Sequence, residues 1–100
     1  KVMDKILNKI SSIIETYESG AFKDLHIMHR ELTCNMYYLS LEQVKAHQQW
    51  NKTYYLSTEK TNAGKERECD KFVPELYMCR KIMETAKGVS IAMGYEIKMN

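Results

Sequence analysis

One hundred residues, 44% hydrophobic and 28% charged, make one small folded domain and exclude a disordered chain. The formal charge of +2 comes from six bases and six acids in residues 1–50 and nine bases and seven acids in residues 51–100. So small an excess, with no basic stripe, argues against tight nucleic-acid binding by one copy, though not against an assembly that lines up weak sites.

Met3, Leu7, Ile10, Ile14 and Tyr17 are spaced 4-3-4-3, a coiled-coil seam flanked by Ile6 and Ile13. Ser19-Gly20 stops it, because glycine accepts the left-handed cap conformation. A helix over 2–18 is predicted. A second pattern begins near Phe22: Leu25, Met28, Leu32, Met36 and Leu39 share a face, continued by Gln43, Ala46 and Trp50. No Gly or Pro interrupts residues 21–61. The prediction is one helix over 22–57, about 50 Å long at about 1.5 Å per residue. Ser40-Leu41-Glu42-Gln43 could form a capping box and split it, with Leu39 and Val44 as a staple. The seam keeps its phase across Ser40, which favours continuity.

Residues 58–65 hold no large apolar side chain and read as a turn. Beyond it Cys69, Phe72, Leu76, Cys79, Met83, Ala86, Ser90 and Met93 form a third seam, predicting a helix over 66–93. Pro74 lies within it, and proline in a helix interior costs about 3 kcal/mol. Either the helix begins near Pro74, at its first turn, or it is kinked there. Gly88 weakens the helix by about 1 kcal/mol and Gly94 ends it, leaving Tyr95–Met99 as a short strand or tail. The expected fold is all-α: a long helical hairpin, 22–57 against 66–93, a shorter N-terminal helix packed at one end, and a short extended C-terminal tail. All of residues 1–100 belong to one domain. Three seams exceed what one hairpin can bury, so self-association is expected.

Cys34, Cys69 and Cys79 are an odd count, with no secretory leader and no apolar run near about 18 residues, which points to a cytoplasmic, non-membrane protein. The chain opens on Lys1 rather than methionine, as a trimmed piece of a longer protein would.

Few residues suggest chemistry. His26 and His29 stand one helical turn apart and could share a metal, but Cys34, the nearest thiol, falls on another face and a structural zinc needs four ligands. Cys69 and Cys79 lie on the third seam, where cysteine packs as a small hydrophobe. Thr61-Asn62-Ala63-Gly64-Lys65 has one glycine and lacks phosphate-loop spacing. Met3, Met28, Met36, Met83 and Met93 fall on the seams and read as core. No constellation of polar groups suggests an enzyme, a cofactor or a bound metal. One segment is richer: Lys45, Trp50, Lys52, Tyr54 and Tyr55 interleave basic and aromatic residues, and Lys60, Lys65 and Arg67 follow across the turn. Stacking on aromatic faces with phosphate pairing is how single strands are held. Packing of the aromatic residues inside the hairpin is the competing reading, and Glu59, Glu66, Glu68 and Asp70 alternate with the bases as on a solvated face.

Tyr54-Tyr55, the polar turn around Asn62-Ala63-Gly64, the helix from Leu76-x-x-Cys79 onward and the tail Gly94-Tyr95-Glu96-Ile97-Lys98 stand in a recognisable order. Over roughly residues 25–100 this resembles the recombination mediator proteins of T-even-type and other tailed phages. The resemblance is specific at the tail and loose elsewhere. It implies a homo-oligomer without catalytic residues, working in an infected bacterial cell. Such a protein binds single-stranded DNA and helps a RecA-like recombinase displace the single-strand-binding protein. The family carries basic residues just before the Tyr-Tyr pair, whereas here Gln48-Gln49-Trp50-Asn51-Lys52 has only Lys52. The expected DNA surface therefore shifts to Lys45, Lys52, Lys60, Lys65 and Arg67 for phosphates, with Trp50, Tyr54 and Tyr55 for stacking. The alternative is a non-catalytic helical oligomerisation or protein-interaction module.

Overall fold

The computed structural model of the chain describes residues 1–94. Helix α1 spans Val2–Glu18, and its seam buries Met3, Ile10, Ile13 and Ile14. Gly20, at φ +74°, closes the helix in the left-handed region, and the Ala21 N–H reaches back to the Thr16 carbonyl. Tyr17 stacks on Phe22 across the connection, with ring centroids 5.5 Å apart. The Asp24 carboxylate then accepts from the N–H groups of His26 (2.9 Å) and Ile27 (3.2 Å), and this cap sets the start of α2 at Leu25 rather than 22.

Helix α2 runs unbroken over Leu25–Leu56. Ser40 does not cap a second helix: its hydroxyl donates to the Tyr37 carbonyl at 2.6 Å, a bond made inside a continuing helix. Leu32, Met36, Leu39 and Ala46 are buried along the expected seam.

The turn after α2 is shorter than residues 58–65. Thr61 accepts from the Gly64 N–H at 3.0 Å, so helix α3 begins at Asn62 and runs to Cys69. The helix expected over 66–93 is consequently three pieces: α3, a tight 3-10 turn over Asp70–Phe72, and α4 over Val73–Ala92. Pro74 sits in the first turn of α4, where its missing N–H leaves no bond unmade. Of the two readings of Pro74, the helix start is the one found. Gly94, at φ +89°, donates to the Ile91 carbonyl beyond the last turn of α4. The expected tail, Tyr95–Met99, lies outside the described residues.

The hairpin of α2 and α4 is present. His29 meets Ser90 near one end and Trp50 meets Cys69 near the other, so the partners run antiparallel. Helix α1 lies along both. Lys1 Nζ bonds Glu75 at 2.6 Å, and Met3 Sδ is 3.5 Å from Cys79 Sγ. Ile10, Leu32, Met36, Leu39, Cys79, Met83 and Ala86 form one continuous core from all three helices. Each fully buried aliphatic side chain contributes about 1.5–3 kcal/mol. The three seams close on one another within a single chain. The surplus apolar surface inferred from counting seams against one hairpin is taken up by α1.

The molecule is elongated, 56 × 24 × 18 Å. The bundle occupies α1, most of α2 and α4; the last turns of α2 project past it and are covered by α3. Among the described residues there is no strand, and no helix is long and apolar enough to cross a membrane.

Candidate nucleic-acid interface

The projecting end carries the aromatic residues. Trp50 and Tyr54 are four apart on α2 and so share a face. Their rings stack at 5.2 Å, inclined by 8°. Tyr54 meets the edge of Tyr55 at 5.3 Å and 82°. The Tyr54 hydroxyl lies 3.1 Å from Asn62 Oδ1, to which it donates, and Lys65 Nζ sits 5.7 Å from the Tyr54 ring centroid. Tyr54 is thus held by a stacked neighbour, a hydrogen bond to the start of α3 and a cation over its face. The Cys69 thiol contacts the Trp50 carbonyl at 3.4 Å and ties the end of α3 to the same turn of α2. Trp50 and Tyr54 are half-buried, and Tyr55 is 75% exposed.

The cations divide. Lys65 belongs to the aromatic cluster. Lys60, in the turn, and Arg67, on α3, are exposed; Arg67 stands two residues from Lys65, about 200° around α3, and shares a shallow hollow with Glu59, Thr61, Gly64 and Glu68. Lys52 is exposed but stands two residues from both Trp50 and Tyr54, about 200° around the helix from each. Lys45 is bound to Glu42 at 3.1 Å, one and a half turns before Trp50. So the structure gathers Trp50, Tyr54, Tyr55 and Lys65, leaves Lys45, Lys52 and Arg67 on other faces, and exposes Lys60 in the turn. From Lys45 to Lys71 there are six bases and four acids, so this end accounts for the whole net charge of +2.

The other candidate groups resolve as packing. His29 Nε2 lies 2.8 Å from the fully buried Ser90 Oγ, joining α2 to α4. Burial and the neighbouring His26 hold its imidazole below the ordinary histidine range. Burial likewise pushes the Cys69 and Cys79 thiols up, with nearby carboxylates adding to it, so both remain protonated and unreactive. Among the described residues no three His, Cys, Asp or Glu side chains are placed to hold a metal.

Sequence reasoning missed two features. Reading Thr61–Lys65 as a turn followed by a helix cap does not show Asn62 as the residue that fixes Tyr54. The other is a second stripe on α2, Tyr37, Leu41, Val44 and Gln48, whose 4-3-4 spacing is legible. Compared with protein-family models, curated proteins and solved structures, the chain matches none.

Proposed function

We propose that this protein is a non-catalytic single-stranded DNA-binding accessory protein that engages the strand at the end formed by α2 and α3. The observation carrying this reading is Tyr55, a large aromatic side chain 75% exposed at the end of a fixed Trp50–Tyr54 stack with Lys65 beside it. An exposed aromatic face on a pre-ordered support, with a cation beside that support, is suited to a base and its phosphate, whatever the sequence. Tyr55 is the stacking platform, Lys60, Lys65 and Arg67 meet phosphates, and Trp50 with Tyr54 forms the support. The narrower role, loading a RecA-like recombinase against the single-strand-binding protein, rests on the resemblance of Tyr54-Tyr55 and Gly94–Lys98 to phage mediators; the geometry supports the strand-binding part.

The test is fluorescence anisotropy of labelled oligo-dT. Three phosphate contacts give a log–log salt slope of about −2 for a single strand. Tyr55→Ala removes about 1–3 kcal/mol of stacking, roughly 5- to 150-fold in Kd. No binding at low salt, or Tyr55→Ala binding like wild type, refutes the proposal.

A further inference from the structure

A shallow open groove of 520 Å³ runs between α2 and α4, and Val44, Val73, Leu76 and Tyr77 give it an apolar lining. On α2, Leu41 and Tyr37 continue that lining at helical spacing, and both are exposed, as are Val44, Val73 and Tyr77. Isolated exposed apolar residues need no explanation, but a contiguous band of aromatic and aliphatic side chains beside a groove marks an interface.

Charge is unevenly shared between the two flanks of the same pair of helices. On the flank beside α1, Glu42 lies 3.1 Å from Lys45 and Glu75 lies 2.6 Å from Lys1, and all four line one hollow, so acids there are matched by bases. The groove flank is different: among the described residues no Asp or Glu lines it. Arg80 lines it from α4, and Lys81 Nζ lies 5.2 Å from the ring centroid of Tyr77, a lining residue. Two adjacent cations therefore stand along the α4 wall. The α2 wall carries Gln43, His47 and Gln48, with no lysine or arginine. Glu84, one turn further along α4, is 3.8 Å from Arg80 Nε, an ion pair too long for a hydrogen bond and made between exposed side chains. Such a pair contributes little, and the guanidinium fork has better geometry to offer a carboxylate from outside.

We infer that this groove holds an amphipathic helix of a partner protein, apolar on the face against Val44, Leu76 and Tyr77 and acidic along the flank over Arg80 and Lys81. Charge complementarity selects that occupant, because a basic helix would bring like charges onto the α4 wall. The size fits: the stripe from Tyr37 to Gln48 is about 16 Å long at about 1.5 Å per residue, three turns of a helix laid beside it. A nucleic-acid strand suits this surface less well, since aliphatic Val44, Val73 and Leu76 offer no face for a base to stack on.

This surface is distinct from the α2–α3 end and is tested without nucleic acid in the primary assay. The probe is a fluorescein-labelled helical peptide of about 16 residues, long enough to hold a helix, with leucines at 4-3-4 spacing, glutamates along one flank and alanine and glutamine elsewhere. Its counterpart has lysine for each glutamate. Fluorescence anisotropy is expected to show the glutamate peptide binding the wild-type chain at least about tenfold tighter than the lysine peptide. Arg80→Glu combined with Lys81→Glu, both at exposed positions, should reverse that preference with unchanged helical circular dichroism. Val44→Glu, which puts a charge into the apolar lining, should weaken both peptides. No saturable binding of the glutamate peptide at 100-micromolar protein overturns the inference, as does equal binding of the two peptides or a preference that survives the charge reversal. A charge-reversed chain that loses oligo-dT affinity as fully as peptide affinity gives the groove to nucleic acid, and one whose mass by light scattering halves in Val44→Glu gives it to a second copy; either result also overturns it.

Discussion

Replacing Ile10 by alanine separates two roles for the N-terminal helix, a third wall of the core or an outer element of assembly. Ile10 is fully buried at the middle of α1, within the core shared with α2 and α4. The substitution removes three carbons, worth about 2.4 kcal/mol at about 0.8 each, and a cavity adds up to about 2 kcal/mol where the helices cannot close in. The expected loss is about 2.5–4 kcal/mol, out of about 5–15 kcal/mol for a domain of this length. Since about 1 kcal/mol moves Tm by about 4–8 °C in domains of this size, the melting temperature should fall by about 10–30 °C. Thermal denaturation followed by circular dichroism reads the shift, and light scattering at low temperature reads the mass. A variant that melts within a few degrees of wild type would refute the three-helix core. So would one whose mass changes while its melting temperature holds, because α1 would then be packing against another molecule.

Gly88, about one turn before the end of α4, has open space where a Cβ would stand, so Gly88→Ala should raise stability by about 0.5–1 kcal/mol, read as a rise of several degrees in Tm. His29, whose folded-state pKa is depressed, is neutral in both states above about pH 6.5. As pH falls below that value the unfolded chain binds the proton first, so stability declines with acidification through the window between the two pKa values. Urea midpoints at pH 5 and 7.5 should show this, and His29→Gln should flatten the difference; an equal slope in the variant rejects the assignment. Cys34 is exposed while Cys69 and Cys79 are buried, so one thiol per native chain should react rapidly with an aromatic disulfide reagent and three after unfolding.

Much of the core was legible because the apolar residues recur at helical spacing with few exceptions. Leu32, Met36 and Leu39 on α2, and Cys79, Met83 and Ala86 on α4, are buried where their period places them. The first turn of α3 was not legible, although residues 66–69 fall within the expected helix: α3 buries only Gly64 and Cys69, and such a polar stretch has no apolar rhythm to read. Its start depends on one hydroxyl, that of Thr61, and its separation from α4 on the tight turn before Pro74. The fate of the surplus seams was equally hidden, because a seam states that a face is apolar and not which helix covers it. In the site, the Trp50–Tyr54 stack follows from spacing, and the distance of Lys52 around the helix and the Glu42–Lys45 pair were open to the same arithmetic. The bond from Tyr54 to Asn62 crosses the turn and depends on tertiary placement.

The projection of α2 beyond the bundle has a consequence for cooperativity. Around Ile10, Leu39 and Cys79, opening one helix strips the other two, so backbone amides there exchange with solvent only near global unfolding. At α3 the buried contacts are few, and that helix can open while the bundle stays closed. Hydrogen exchange should therefore be graded along the long axis, slow through the bundle and fast over residues 62–69. A ligand seated on Tyr55 and Lys65 has that unexhausted order to draw upon, and its binding would be written in the amides of α3 before it altered any in the bundle.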